Sequence, residues 1–134
     1  MGFNDLYRLS SHAVIRNHLG QVLLLKATYA DCRWGLPGGG LDQGETIHQA
    51  LVRECLEELG CDVEIHYLSG VYYHSEVNSH TFIFRCELVA NSNIKLSDEH
   101  SDYAWMNLDE LSEVQRIRVQ DCLEFNGQVQ SRSF

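Results

Sequence analysis

Two β-rich stretches open the chain, residues 8–17 and 21–28, and the second holds one of its longest apolar runs, Val22 to Leu25. Asn17-His18-Leu19-Gly20 between them predicts a hairpin turn. Trp34-Gly35-Leu36-Pro37-Gly38-Gly39-Gly40 then breaks the pattern and carries the sole proline. A helix is predicted from Thr46 to Leu59, because Thr46 and Gln49 have capping-box spacing and Gly60 supplies the stop. Its apolar residues are widely distributed: Leu51, Val52, Cys55, Leu56 and Leu59 cover most of one side, with Ile47 and Ala50 on the other. Such a helix is gripped by protein on more than one face. Strands over 63–74 and 79–89 flank a polar turn at Ser75-Glu76-Val77-Asn78. A strand over 103–106 precedes a C-terminal helix over 112–125, and the tail from Gln128 to Phe134 is either disordered or packed on a partner. Strands on both sides of a central helix, followed by a closing helix, predict an α/β fold with a mixed sheet and helices on its faces.

Composition narrows the classes. The chain has 134 residues, 44% hydrophobic and 22% charged, which predicts one domain over 1–134 and excludes a disordered or fibrous chain. No apolar run approaches the ~18 residues of a membrane helix, and no charged-then-apolar leader opens the chain. Met1-Gly2 starts like a myristoylated protein, but Leu6 stands where Ser or Thr is needed, and Ser131-Arg132-Ser133-Phe134 has no prenylation cysteine. A soluble, cytoplasmic protein is expected. Five cysteines without a C-x-x-C pair read as small buried hydrophobes in a reducing compartment. The net charge of −9 argues against a general nucleic-acid binder, so no nucleic acid and no membrane is expected as partner.

The chemistry lies between Gly39 and Cys61. Gly39, Glu45, Arg53, Glu54, Glu57, Glu58 and Gly60 form G-x5-E-x7-R-E-x-x-E-E-x-G. On a helix, Glu54, Glu57 and Glu58 fall within roughly a 100° arc, so three carboxylates converge. Clustered like charges at the edge of a gripped helix call for a cation. With no cysteine or histidine placed to join them, an oxygen-only set favours Mg²⁺, with Mn²⁺ as the alternative, over zinc. Gly38, Gly39 and Gly40 let main-chain groups approach a metal or phosphate with no Cβ in the way.

This stretch resembles the Nudix box, G-x5-E-x7-R-E-U-x-E-E-x-G-U with U aliphatic. All seven fixed positions are present, and the departures are Cys55 and Cys61 at the two U positions. Trp34-Gly35-Leu36-Pro37-Gly38 and the later Glu99 and Trp105 also resemble the family. The resemblance implies a MutT-like α/β/α sandwich with a mixed β-sheet, and hydrolysis of a nucleoside diphosphate linked to another moiety, with water attacking phosphorus. It implies metal ligation by Glu54, Glu57 and Glu58 with the Gly39 carbonyl, and an orienting role for Arg53 with Glu45 near it. The general base is Glu54 or Glu99, and Glu99 is also a candidate metal ligand. Lys26 and Arg33 are candidate phosphate contacts, equally readable as surface charges, alongside Gly38, Gly39 and Gly40. Tyr72 or Tyr73 is a candidate for stacking a base, and His74 to His80 for reaching the substrate.

Substrate markers are mostly missing. Glu76 stands where many ADP-ribose enzymes carry proline, and Val77, Asn78 and Ser79 where dinucleoside-polyphosphate enzymes carry tyrosine. The expected substrate is therefore a nucleoside triphosphate, giving a nucleoside monophosphate and pyrophosphate. ADP-ribose or nucleotide-sugar pyrophosphatase, RNA 5′-end hydrolysis, prenyl-diphosphate isomerisation and a non-catalytic nucleotide sensor are the rival readings. A homodimer, common in the family, stays open.

Overall fold

The computed structural model describes residues 2–134 apart from the Ala30 side chain, so the reading of Met1 falls outside it. Among the described residues, eight strands form two sheets and two α-helices connect strands. The strands are β1 (Arg8–Ile15), β2 (Val22–Ala27), β3 (Trp34–Gly35), β4 (Gly38–Gly40), β5 (Val63–His74), β6 (Ser79–Leu88), β7 (His100–Met106) and β8 (Gln130–Ser133). The helices are α1 (Ile47–Leu59), between β4 and β5, and α2 (Glu113–Leu123), between β7 and β8. One sheet is mixed, in the order β4-β1-β6-β5-β8, with β1 parallel to β6 and β5 parallel to β8; the other, β3-β2-β7, is antiparallel.

Alternation along β1 and β2 explains the layering. Ala13, Ile15, Leu23 and Leu25 pack with Leu51, Cys55 and Leu59 of α1. Val14, Val22 and Leu24 pack with Tyr72, Ile83 and with Val119 and Cys122 of α2. The run Val22 to Leu25 is thus buried on both faces, and the α/β/α sandwich with a mixed sheet is observed. Thr46 caps α1 with Gln49 completing the box, and Gly60 ends the helix at φ 65°. Of the cysteines, Cys55, Cys61, Cys86 and Cys122 are buried and unbridged, whereas Cys32 is exposed. No helix among the described residues is long and apolar enough to cross a membrane.

Three expectations are corrected. The turn after β1 forms, with Asn17 Oδ1 accepting from the amides of Leu19 and Gln21 at 3.0 Å, yet β1 and β2 are not a hairpin. The bridge Arg16 to Val22 and the bond from the Asn17 amide to the Gln21 carbonyl link them before they part into separate sheets, because β6 and β4 occupy the two edges of β1. The glycine stretch is not simply a break: Gly38–Gly40 forms an edge strand on Ser10–His12. The tail is ordered within the chain, since β8 pairs with the edge of β5 and Phe134 exchanges main-chain bonds with Tyr73 and Ser75.

Leu51 is fully buried between α1 and the sheets, whereas Val52 beside it is 36% exposed. Leu51→Ala should lower the unfolding free energy by about 3 kcal/mol, and Val52→Ala by less than about 1 kcal/mol, read from urea denaturation.

Candidate active site

The site forms where the glycine strand β4 meets the C-terminal half of α1. Gly38 sits at φ 140°, and a Cβ there would lie 2.1 Å from the Ser11 carbonyl oxygen, so no other residue fits. Its amide donates to Glu58 Oε2 at 3.2 Å. At Gly39 the constraint comes from the site itself, since a Cβ would fall 2.6 Å from Cδ of Glu54. The missing Cβ lets that carboxylate lie against the main chain.

Arg53 holds this arrangement together. Its Nε donates to Glu45 at 2.7 Å, Nη2 donates to Glu45 at 2.9 Å and to the Gly40 carbonyl at 3.0 Å, and Nη1 donates to Glu54 at 2.9 Å and more weakly to Glu57 at 3.3 Å. The guanidinium thereby ties β4, the loop after it and α1 into one unit. Bonding to Arg53 first, and then to the Asp42 amide, pulls the Glu45 carboxyl down to about 2. Glu45 itself accepts from the Asp42 amide at 2.7 Å, so it braces both the arginine and the loop.

The three glutamates differ in setting. Glu57 is largely exposed, Glu54 is mostly covered, and Glu58 retains only 4% of its accessible surface. Burial raises the Glu58 carboxyl to about 8; the Gly38 amide opposes this, and Glu54 and then Glu99 add to it. Glu99 belongs to this neighbourhood although it is far off in sequence. Its carbonyl is pinned by the amide of Thr28 at 2.9 Å and the Thr28 hydroxyl at 3.0 Å. Burial, then the charges of Glu99, Glu58 and Glu54, also raise the Tyr29 hydroxyl, which marks Tyr29 as a further neighbour.

A divalent cation suits this donor set. Among the described residues, no three His, Cys, Asp or Glu side chains stand ready as a closed metal shell, since Arg53 bridges Glu54 and Glu57. The donors are nevertheless all oxygens, Glu58 is a buried carboxylate with only one amide to balance it, and Gly39 leaves room beside Glu54. A hard cation that keeps part of its water shell answers each of these features.

Beside the glutamates, His12, Tyr29, Arg33, Trp34, Gly38 and His100 help line a cleft of about 200 Å³. Trp34 and Arg33 also line a second cleft of about 460 Å³, against Met106 and Gln115, so these two residues border both clefts. Arg33 therefore borders both clefts, although it is largely exposed and lies 3.7 Å from Asp31. Lys26 lies on β2 between Trp34 and Asp102 in the ladder and does not line the cleft. Gly40 uses its carbonyl to hold Arg53. Tyr72 is fully buried with its hydroxyl donating to Asp121 at 2.9 Å, so no base stacks on it. Tyr73 packs against Tyr7 and His80, away from the cleft. His12, Tyr29 and His100 carried no motif; only the folding of β1, β7 and the loop after β2 brings them to Trp34 and Gly38.

The comparisons agree with this geometry. A family model described as the NUDIX domain matches residues 6–122, and the chain belongs to that family, a family of hydrolases. It is 32% identical over 126 residues to a MutT-like protein of Streptomyces ambofaciens, covering 91% of this chain and 80% of that one. It is 32% identical over 92 residues to nucleoside triphosphatase NudI of Escherichia coli O139:H28, covering 59% of this chain and 64% of that protein, less than two thirds of its length. A MutT NUDIX hydrolase from Burkholderia pseudomallei superimposes with a TM-score of 0.71 at 30% identity, covering 87% of this chain and 98% of that one.

Two adjacent glycines separate fold from site. Gly38→Ala should destabilise by about 2 kcal/mol or more through the clash with the Ser11 carbonyl and its positive φ. Gly39→Ala meets only a flexible carboxylate; it should keep its melting temperature and lose about a hundredfold in kcat/KM as Glu54 is displaced. Burial first, and the Arg118 charge second, hold His12 down to about 4 against an ordinary 6.5. Between those values the unfolded chain binds a proton that the folded chain refuses, so His12 makes stability rise with pH across the window, by about 2 kcal/mol after allowing for solvent at the ring. Comparing urea midpoints from pH 4 to 7 should show a shallower rise in His12→Gln than in the parent chain.

Proposed function

We propose that the chain is a divalent-metal-dependent pyrophosphohydrolase that cleaves a nucleoside triphosphate to a nucleoside monophosphate and pyrophosphate. The observation that carries this reading is the convergence of Glu54, Glu57 and Glu58 on a glycine strand that presents main-chain groups, beside a cleft wide enough for part of a nucleotide. Glu54, Glu57, Glu58 and the Gly39 carbonyl would hold Mg²⁺ or Mn²⁺, with Glu99 as an added ligand. The bound cation would neutralise the polyphosphate and acidify a water. That role also reconciles an anionic substrate with a net charge of −9.

The protein's own groups divide the remaining work. Arg53 keeps the carboxylates in register while its own contacts go to Glu45, Glu54 and the Gly40 carbonyl. Glu54 or Glu99 takes the proton from the attacking water, whose oxygen bonds to phosphorus as the bridging oxygen leaves on pyrophosphate. Arg33, at the cleft mouth, is the cationic side chain placed to meet the phosphates. The nucleoside triphosphatase named among the similar proteins supports the choice of triphosphate. The complete set of charged box positions favours an enzyme over a sensor.

Nucleoside triphosphates, ADP-ribose, nucleotide sugars and dinucleoside polyphosphates should be assayed for phosphate and pyrophosphate release with Mg²⁺ or Mn²⁺. A triphosphate should be turned over well above the rest, EDTA should abolish turnover, and Glu57→Gln should lose about a hundredfold or more in kcat with unchanged melting. Turnover that survives EDTA, or that Glu57→Gln leaves intact, would overturn the reading.

A further inference from the structure

The segment 124–129, which carries the chain from α2 to β8, holds the one Asn-Gly pair of the sequence, Asn126-Gly127. Both residues are exposed. In such a pair the main-chain nitrogen can reach the preceding side-chain carboxamide, because glycine puts no Cβ in its path. A Cβ at Gly127 would meet nothing within 4 Å, so no other part of the fold packs on the pair, and its φ of 98° keeps the position for glycine.

The atoms that would react are open to reaction. Among the described residues the Gly127 amide donates no hydrogen bond, so its nitrogen is available as a nucleophile. Nδ2 of Asn126, the leaving group, is likewise unengaged there, while Oδ1, where negative charge develops, accepts from the Gln128 amide at 3.1 Å. The other asparagines lack this combination. Asn17, Asn78 and Asn107 each donate through Nδ2, to Gln21, Leu6 and Glu110. After Asn4 and Asn91 the following amide is already bonded to a carbonyl, and after Asn93 stands the β-branched Ile94, whose side chain crowds the approach.

We propose that Asn126-Gly127 is a site of spontaneous covalent modification, at which Asn126 loses ammonia to become aspartate or isoaspartate, and that the isoaspartate form releases β8 from β5. The Gly127 nitrogen gives its proton to water and bonds to Cγ of Asn126; the bond from Cγ to Nδ2 breaks, ammonia leaves, and a succinimide ring closes. Water then opens the ring. Attack at Cγ gives aspartate, and attack at the Asn126 main-chain carbonyl carbon gives isoaspartate, in which the chain runs on through Cβ and Cγ. Water is the only co-reactant, and the inference is independent of the proposed hydrolysis.

The place of the pair in the fold gives isoaspartate its effect. Phe125 stacks on Tyr67 with ring centroids 4.3 Å apart, and β8 begins at Gln130, so an added main-chain methylene and an added negative charge must be absorbed within residues 126–129. Of the two anchors β8 is the weaker. It has four residues, ends the sheet order and pairs with β5 alone, whereas α2 buries Val119 and Cys122. The exposed Arg132, bonded to Asp121 at 2.8 and 2.9 Å, is the side-chain link from β8 to α2 that a shifted strand would strain.

The test is prolonged incubation of the folded chain at neutral and at mildly alkaline pH, followed by ion exchange and peptide mapping. Asn126→Ser serves as control, since its hydroxyl keeps an acceptor for the Gln128 amide and has no carboxamide to lose. The parent should accumulate a more acidic species, faster at the higher pH, with the change mapped to Asn126 and isoaspartate identified by an isoaspartate-specific methyltransferase. The control should accumulate none. In the purified isoaspartyl form, hydrogen exchange should show lost protection of the β8 amides with α1 unchanged. An unmodified parent, modification at another asparagine first, or the same acidic species in Asn126→Ser would overturn the site, and an isoaspartyl form with β8 still protected would overturn the release.

Discussion

The site depends on one close approach, that of the Gly38–Gly40 main chain to the carboxylates of α1. Two side-chain-free positions permit it in different ways. Gly38 makes room for its own strand against Ser11, and Gly39 makes room for Glu54. Arg53 then fastens the strand to the helix by taking the Gly40 carbonyl and the carboxylates of Glu45 and Glu54 at once. A guanidinium is suited to this because its donors are fixed in a plane and its charge does not titrate. The rest of the sandwich serves that contact: α1 is held by the cluster around Leu51, and β4 is held by β1.

Charge is distributed against the composition. A chain with net −9 concentrates carboxylates on α1, where burial already pushes Glu58 toward its neutral form. On α2 lies the Arg118 guanidinium, with no carboxylate within ion-pair distance among the described residues, near His12 and His74, whose pKa burial lowers. The molecule is thus polarised, acidic on α1 and locally basic on α2. Two helices on opposite faces of the β-layer make this polarity stable, since the opposed charges are separated by the sandwich and do not collapse onto each other.

Much of this was legible in the amino-acid order. Helix α1, its capping box, its glycine stop and the convergence of its glutamates are local, since spacing along one helix decides which residues share a face. So are the turn at Asn17 and the strands flanking 75–78. What failed was pairing. The β1–β2 turn has hairpin chemistry, but whether two adjacent strands join is decided by which other strands claim their edges, and β4, β6, β3 and β7 did so. The same holds for β8, whose four residues have little strand character until the free edge of β5 supplies hydrogen-bond partners.

The sequence by itself determined the carboxylate set, the glycine positions beside it and the α/β character, because each is written in short-range spacing. Only the tertiary structure decided that Tyr29 lies near those carboxylates, that Tyr72 is buried and unavailable, and that His12, Trp34 and His100 line one cleft with Gly38. These residues come from five different strands and the loop after β2, far apart in the chain. Their meeting follows from the stacking of two sheets between two helices, a long-range packing outcome that no local pattern of residues encodes.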